Sequence, residues 1–371
     1  MLFTGTINTI LNKLQDNVCI SNCDAPDKRD RHTFEQPLWQ TMTMFVGETC
    51  CLIVYYASTF YENRKKKVGN SHQSNLNESS PLIPNSSDIV EIIDEDGLIE
   101  MHGWANLWFW LPTVCDLIST TLMNVGLIYI SASIYQMLRG SLVLFTGTLS
   151  VIFLHKRHPL YRWIALILVF FGVFIVGLSS VIEKGDASTV SPEKSIIGVT
   201  MVILAQIFTA SQFVIEEKIL CKYSTAPLKA VGLEGLFGLI SSVILLPPLY
   251  LFFGKNGPPG GFFDIPEGFR QVFGYEEILY SGIGIILSIA FFNWFGLSVT
   301  RHISATSRST IDTCRTLFIW MVSIQLGWET FNWVQVLGFM VLLPGTLMFN
   351  DVFKYLFEKK STEFEEITDD N

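Results

Sequence analysis

The stretch that decides the fold is residues 131–157, SASIYQMLRGSLVLFTGTLSVIFLHKR. From Ile134 to Leu154 it is apolar over about twenty residues, the length that an α-helix needs to cross the hydrocarbon core of a bilayer. Near the middle of this segment lies Arg139, and a charge at that depth costs at least about 2.5 kcal/mol. The arginine either pairs with a carboxylate of a neighbouring helix or faces a water-filled cavity. The sequence leaves both interpretations open.

One face of this helix is polar. Tyr135 lies four residues before Arg139 and Thr146 seven after it, with Gln136 beside them. Positions at these spacings recur on one side of an α-helix. We therefore expect Tyr135, Gln136 and Arg139 to point inward, where they would bind a solute.

The composition places the chain in a membrane. Of its 371 residues, 49% are hydrophobic and 16% are charged, which is too apolar for one soluble domain of ordinary composition. The net charge of -9 comes mainly from two acidic segments, 88–100 and 358–370, which are typical of solvated loops or tails. The net charge therefore says little about partners, and no nucleic-acid partner is expected. No cleavable signal peptide is expected at the amino terminus.

Ten apolar segments are expected to cross the membrane as helices. They are residues 2–19, 37–61, 103–130, 134–154, 160–182, 196–220, 229–253, 278–300, 303–326 and 331–357. Basic clusters follow alternate segments, for example at 64–67 and 155–158, and mark the cytoplasmic side. Both termini would then be cytoplasmic. The predicted division is a first five-helix repeat at 1–182, a second at 183–357 and an acidic cytoplasmic tail at 358–371.

The cytoplasmic loop at 62–102 is expected to be disordered, because its polar part lacks apolar periodicity. Two glycosylation sequons, at Asn77 and Asn85, fall inside it and should carry no glycan on this side of the membrane. The loop also contains an acidic dileucine pattern that a cytosolic sorting adaptor could bind, which favours a lysosomal or vacuolar location. Its residues are Glu78, Leu82 and Ile83. The later loop at 254–277 is too polar to cross.

The chain contains an internal repeat. Ile130-Ser131-Ala132-Ser133 leads to Arg139, and Ile303-Ser304-Ala305-Thr306 leads to Arg315, with each arginine in mid-helix. The last helix of each copy carries paired glycines, Gly172 with Gly177 and Gly338 with Gly345. Five segments separate the copies, so the helices that carry them must cross in opposite directions. This pattern predicts an inverted repeat, a design common among secondary carriers.

The ninth segment carries the strongest polar signal. Arg308, Asp312 and Arg315 lie four and three residues apart on one stripe, among many hydroxyl side chains. Asp312 is expected to pair well with only one arginine, so that the stripe and Arg139 retain a positive charge suited to an anion. The alternative is an Arg-Asp-Arg clamp that joins helices and contacts no solute.

Further carboxylates lie in other segments. Glu48, Asp116 and Glu234 could pair with those arginines or take up protons. Glu216-Glu217-Lys218, near the end of a segment, is expected to be an interfacial charge cluster. Among the seven cysteines, only Cys19 and Cys23 could form a disulfide, and the sequence does not decide whether they do.

Enzymatic chemistry finds no support in the segments. They contain no recognisable nucleophile, metal site or acid–base constellation, and His155 and His158 are expected to be solvated. We therefore predict no enzymatic activity, no metal and no cofactor.

Several motifs together resemble one family. They are ASIYQMLRGS, FLHKR, GVFIVGL, EEKILCKYSTAPLKAVGLEGLFG and ATSRSTIDTCRT, and they resemble the F subfamily of solute carrier family 35, within the drug/metabolite transporter superfamily. The resemblance covers nearly the whole chain. It implies an all-α membrane protein of ten helices in two inverted five-helix repeats, with the fourth and ninth helices lining a central cavity.

The expected function is secondary transport of a small, anionic organic solute across an endomembrane by alternating access. The alternatives are a nucleotide-sugar antiporter of the Golgi, which this family suggests, and a membrane scaffold that transports nothing. Neither the fourth nor the ninth segment contains the lysine that several phosphate-ester carriers of the superfamily use.

Overall fold

The computed structural model describes residues 1–23, 32–34, 36–73, 99–101, 103–130, 132–182, 192–255, 264–325 and 333–351. Its helices are α1 (Leu2–Asp16), α2 (Pro37–Gln73), α3 (Trp110–Tyr129), α4 (Ala132–Leu138), α5 (Leu142–Leu154), α6 (Leu160–Ile182), α7 (Pro192–Lys222), α8 (Pro227–Leu249), α9 (Ile265–Gly274), α10 (Glu276–His302), α11 (Ala305–Gln325) and α12 (Trp333–Phe349). Four very short strands accompany them: β1 (Cys19–Ser21) pairs with β2 (His32–Thr33), and β3 (Ile99–Glu100) with β4 (Tyr223–Ser224).

The structure confirms an all-α membrane protein. Each of the ten predicted segments contains a helix, and in the described part of the chain six helical segments are long and apolar enough to span a bilayer. They are α2, α4 with α5, α6, α7, α8 and α10. Large apolar side chains on their outer faces, such as Phe170, Phe171 and Phe174 of α6, are exposed. A lipid environment would cover such a surface.

Helices of the first half pair with helices of the second half. The pairs are α1 with α10, α2 with α8, α3 with α7, α4 and α5 with α11, and α6 with α12. The α1–α10 pair is antiparallel, because Asn8 donates to Ser288 Oγ at 3.0 Å while Gln15, further along α1, donates to the earlier carbonyl of Ile278 at 3.0 Å. These contacts between halves surround a central space.

The α6–α12 pair depends on glycine at the contact. A Cβ atom at Gly172 would lie 2.7 Å from the backbone nitrogen of Leu342, and one at Gly345 would lie 3.0 Å from the backbone nitrogen of Val169. The absence of side chains at these two positions lets the backbones approach closely, as small residues do between membrane helices.

The predicted helix at 134–154 is not continuous. It is interrupted by a 3₁₀ turn at Arg139–Ser141, between α4 and α5. A 3₁₀ turn inside a helix often marks a functional hinge, and interrupted helices line the binding sites of many carriers. At the turn, Leu342 of α12 packs against Gly140. The interruption therefore begins at Arg139, the charged residue in the middle of this segment.

One end of the molecule, called the basic end below, contains Lys156 and strands β3 and β4. Lys156 is ion-paired with Glu217, and Lys229 donates to the carbonyl oxygen of Met101 at 3.0 Å. The pairing of Ile99–Glu100 with Tyr223–Ser224 brings the two chain segments together here.

The opposite end, the disulfide end, holds strands β1 and β2, the Cys19–Cys23 disulfide and α9. The structure thus pairs the two cysteines that the sequence left undecided. Tyr275 donates to the carbonyl oxygen of Ile20 at 2.8 Å, and the ring of Trp39 contacts that of Phe269. The aromatic contact fastens the start of α2 to α9.

One loop prediction needs correction, and the other loop contains a short helix. Helix α2 continues past the predicted end at Tyr61 as far as Gln73, so residues 62–73 are not disordered; straight-chain residues such as the lysines at 65–67 favour continued helix. Within the polar loop 254–277, helix α9 forms because Asp264 caps its start by accepting from the backbone N–H of Glu267. The sorting motif, both sequons and the acidic tail lie outside the described residues.

Candidate functional site

A central cavity of about 500 Å³ lies between the two halves. It extends from Asp16 and Gln40, toward the disulfide end, down to Arg308. The cavity combines apolar and aromatic walls with convergent polar groups, as small-molecule sites do. Amides form much of the polar lining: Asn8, Asn12, Asn124, Gln136, Gln212 and Asn293.

An arginine–aspartate–arginine triad forms one wall. Asp312 of α11 contacts Arg139 at 3.4 Å through Oδ2 and Arg315 at 2.7 Å through Oδ1. Within α11, Asp312 pairs with Arg315 and not with Arg308, in line with the expectation that it would pair well with only one arginine of that stripe. Its other oxygen contacts Arg139. Arg139 keeps 17% of its side chain exposed, whereas Arg315 keeps 4%. All three residues line the cavity, as do Tyr135 and Gln136.

Local packing fixes Arg315. Its guanidinium group lies 4.5 Å from the centre of the Phe292 ring, a cation–π contact. A Cβ atom at Gly5 would lie 2.9 Å from Nη1 of Arg315, so the glycine makes room for the charge. Thr146, expected on the same face as Arg139, also contacts α11, where it donates to Ser309 Oγ at 2.9 Å.

Arg308 belongs to a different group from the one predicted. It is ion-paired with Glu216 of α7 rather than with Asp312, and both side chains are buried. Its guanidinium group lies 3.9 Å from the centre of the Phe213 ring. The prediction that Glu216 sits in an interfacial charge cluster is wrong, because α7 extends to Lys222 and turns Glu216 toward the interior.

The remaining carboxylates gather around Arg308. Glu48 of α2, Asp116 of α3 and Glu234 of α8 all interact electrostatically with Arg308 and with Glu216. Glu48 also accepts from Asn293 of α10. Glu48 and Glu234 are buried, whereas Asp116 reaches the cavity. The sequence analysis identified Glu48, Asp116 and Glu234 as interior acids but not Glu216. The helical spacing of Thr209, Gln212 and Glu216, which places three polar side chains on one face of α7, would have indicated that Glu216 also points inward.

Glu217 has a role distinct from that of Glu216. Its Oε2 accepts from the backbone N–H of Ala305 at 3.1 Å, at the start of α11, and its Oε1 contacts Lys156. An acid at a helix amino terminus satisfies a free N–H group and complements the helix dipole. Glu217 therefore connects α7, α11 and the turn before α6 at the basic end.

His158, predicted to be solvated, is partly buried in that turn. It lies 3.1 Å from Ser150 Oγ, and its ring contacts that of Phe349. Burial and the nearby positive charge of Arg162 lower the pKa of His158 below its ordinary value of 6.5.

Comparison with known proteins identifies the family. The family model for nucleotide-sugar transporters matches residues 90–289. Solute carrier family 35 member F6 of Homo sapiens is 38% identical over 365 residues, covering 97% of this chain and 90% of that protein. The Mus musculus protein of the same name is 36% identical, covering 96% and 88%. An uncharacterised Schizosaccharomyces pombe protein is 33% identical, covering 96% and 97%.

The fold also has a counterpart among solved structures. One crystal structure superimposes with a TM-score of 0.54 over 96% of this chain and 95% of the other, at 9% identity, which shows likeness of fold alone. The Homo sapiens and Mus musculus relatives are named as solute carriers rather than enzymes, in line with the prediction. The chain is a multipass membrane transporter and belongs to solute carrier family 35.

Proposed function

We propose that this protein is a secondary transporter that moves a small, anionic organic solute across an endomembrane by alternating access. The observation that carries the proposal is the triad of Arg139, Asp312 and Arg315 in the wall of the cavity. Two guanidinium groups share one carboxylate, so one positive charge remains unbalanced. A buried, unbalanced arginine is a strong partner for a carboxylate, sulfate or phosphate group.

The ten helices are proposed to cross the membrane in two inverted five-helix repeats. The helix pairs support this arrangement, because the pairing pattern is the same when the first and second halves are interchanged. The first membrane helix of each half pairs with the third of the other half. The second, fourth and fifth helices pair with the helices of the same number in the other half. Equivalent positions of the two halves are also related by one constant separation in sequence. This separation aligns Ile130 with Ile303, Val169 with Leu342 and Gly172 with Gly345. The contact of Gly172 with Leu342 then has its mirror in Gly345 with Val169.

This register changes one part of the predicted repeat. It matches Arg139 with Asp312, whereas the sequence pattern had matched Arg139 with Arg315. The ion pair between Arg139 and Asp312 would therefore join two equivalent positions near the pseudo-twofold axis. Opposite charges at equivalent positions give the two halves different chemistry at the solute site.

The orientation is proposed from the two ends. Basic residues such as Lys156, Lys218 and Lys222 favour the cytoplasm for the basic end. The Cys19–Cys23 disulfide lies at the opposite end and suits an oxidising lumen. The cavity reaches toward the disulfide end, while Glu217 fastens α7 to α11 at the basic end. This arrangement corresponds to a lumen-facing state of an alternating-access cycle.

For the organelle, we favour the lysosome or vacuole, with Glu78, Leu82 and Ile83 as the sorting motif that a cytosolic adaptor binds. The motif lies in the loop that follows α2 and its basic cluster. Replacing Leu82 and Ile83 with alanine should move a tagged protein to the cell surface. An unchanged location, or glycans on Asn77 or Asn85, would contradict this proposal.

The nucleotide-sugar family match favours a second candidate, a Golgi nucleotide-sugar antiporter. One experiment separates the candidates: purified protein in liposomes, tested for counterflow with a panel of organic anions, nucleotide sugars and organic cations. Saturable counterflow of a simple anion supports the proposal, and exchange restricted to nucleotide sugars supports the second candidate. Selective cation uptake contradicts both, and no uptake of any solute favours a scaffold.

A further inference from the structure

We propose that Glu48, Asp116, Glu216 and Glu234 form a proton-binding site that is coupled to the solute site through Arg308. These residues come from four helices, α2, α3, α7 and α8, and the arginine comes from a fifth, α11. Proton binding is independent of the proposed function, whereas the coupling to solute rests on it. The name carboxyl cluster is used below for the four acids.

The charge balance of the carboxyl cluster favours protonation of some of its acids. Four carboxyl groups interact with one another and with a single arginine. Glu48, Glu216 and Glu234 are each at most 7% exposed. Four ionised carboxylates around one guanidinium group would leave three negative charges without a counterion in a medium of low polarity. Isolated buried charges cost so much that such groups bind protons instead.

The other groups that face the cluster do not supply the missing cations. α2 adds Cys51, α3 adds Cys115 and α10 adds the uncharged amide of Asn293. Among the described residues, the triad arginines Arg139 and Arg315 form their ion pairs with Asp312 and not with an acid of the cluster. In the part of the chain that the structure describes, no three His, Cys, Asp or Glu side chains are placed to hold a metal ion.

Two buried oxygens show where a proton would bind. Oε1 of Glu216 and Oε1 of Glu234 are both buried, and neither has a hydrogen-bond partner among the described residues. Glu234 is one of the residues that interact with the carboxyl group of Glu216. Two carboxylates cannot hydrogen bond unless one of them carries a proton. A single proton shared by Glu216 and Glu234 would satisfy both residues.

Asp116 gives the cluster access to water. It lines the cavity and is only partly buried, whereas the three glutamates are buried. A proton can therefore pass from the cavity to Asp116 and then to the buried acids. The lumen-facing cavity would load the cluster from the acidic side of an organelle membrane.

Arg308 links the cluster to the cavity. It pairs with Glu216, yet it also lines the cavity. A Cβ atom at Gly296 would lie 2.9 Å from Arg308 Nε, so this guanidinium group packs directly against the glycine. When a proton converts the Glu216 carboxylate to a neutral acid, the ion pair is lost and Arg308 can attract an anionic group. Loss of the proton returns Arg308 to Glu216. A proton and an anion would then bind together and cross together, and each would raise the affinity for the other.

Infrared difference spectroscopy of the purified protein tests proton binding without any solute. The probe is the proton itself, titrated from acidic to alkaline pH, and the signal is the C=O stretch of buried carboxylic acids. We expect wild-type protein to show a carboxylic-acid band at neutral pH that disappears at alkaline pH. Glu234→Gln and Glu48→Gln should each lose part of the band, whereas Glu193→Gln, on the exposed start of α7, should leave it unchanged.

The proposed link between the carboxyl cluster and Arg308 is tested by a separate variant. Arg308→Gln removes the cation that pairs with the cluster among the described residues, so the band should persist to higher pH. An unchanged titration would refute the link. The absence of a titrating band in wild type would refute the proton site even if every variant failed to fold. Transport in liposomes by a protein without this band would leave the proposed function standing. The band in a protein that transports nothing would leave proton binding standing.

Discussion

The shared carboxylate of Asp312 gives the sharpest stability prediction. Asp312→Asn keeps the side-chain volume but removes the carboxylate with which both Arg139 and Arg315 form ion pairs, at 3.4 and 2.7 Å. Removing one member of a buried ion pair costs about 3–5 kcal/mol, because the other charge is left without compensation. Arg315, at 4% exposure, should contribute most of that loss, since Arg139 can still reach water in the cavity.

The assay is unfolding in mixed detergent micelles by increasing SDS, followed by tryptophan fluorescence. Arg270→Gln is the matched control, because Arg270 forms an ion pair with Glu267 on α9 while its side chain remains 79% exposed. An exposed pair contributes at most about 1 kcal/mol. Asp312→Asn should therefore lower the free energy of unfolding several times more than Arg270→Gln does.

A double variant sharpens the test. Asp312→Asn combined with Arg315→Gln removes the carboxylate together with the most buried arginine, so the combined loss should be clearly smaller than the sum of the single losses. A loss for Asp312→Asn no larger than that of Arg270→Gln, or strict additivity in the double variant, would refute the reasoning.

Three further predictions concern packing, covalent structure and pH. Gly172→Ala should lower the free energy of unfolding in micelles by about 1–3 kcal/mol, because the added methyl group overpacks the helix contact. Gly177→Ala is the control, because its Cβ would lie at an ordinary 3.6 Å from its nearest neighbour. Equal effects of the two substitutions would contradict the close approach of α6 and α12. Without reductant, maleimide should not modify Cys19 or Cys23 of the denatured protein, and a Cys19→Ala variant should gain one reactive thiol; labelling of both in wild type would contradict the disulfide. Because the pKa of His158 is lowered in the folded state, the unfolded chain binds that proton more tightly. The free energy of unfolding should therefore decrease as the pH drops below about 6.5, and it should decrease less in His158→Gln. Identical pH dependence of unfolding in the two proteins would contradict this.

The sequence predicted the helical segments well because each signal was local. About twenty consecutive apolar residues indicate a membrane helix without reference to the rest of the chain. A charge inside such a segment is costly, so Arg139, Asp312 and Arg315 could be identified as interior residues from their position alone. The structure brings all three to one cavity.

The partners of those charges could not be predicted in the same way. Glu216 and Arg308 lie far apart in the chain, and their contact depends on how α7 and α11 are rotated against each other. Helical periodicity shows which residues share a face but not which other face they meet. The extent of α7 was also decisive, because its continuation to Lys222 places Glu216 in the interior instead of at the interface.

The turn at Arg139–Ser141 escaped prediction for a related reason. Gly140 lowers helix propensity only modestly, and a single glycine in an apolar run is compatible with a continuous helix. The interruption instead coincides with a tertiary contact, the packing of Leu342 against Gly140. A feature of this kind becomes visible only when the two halves are assembled.

The most direct test of the central claim is counterflow in liposomes with the two triad arginines changed separately. For whichever anion the wild-type protein exchanges, Arg139→Gln and Arg315→Gln should each abolish saturable uptake, while Arg270→Gln, at the exposed α9 pair, should retain it. All variants must elute as folded protein. Normal anion uptake by Arg139→Gln, or selective uptake of a cation by the wild type, would contradict the account.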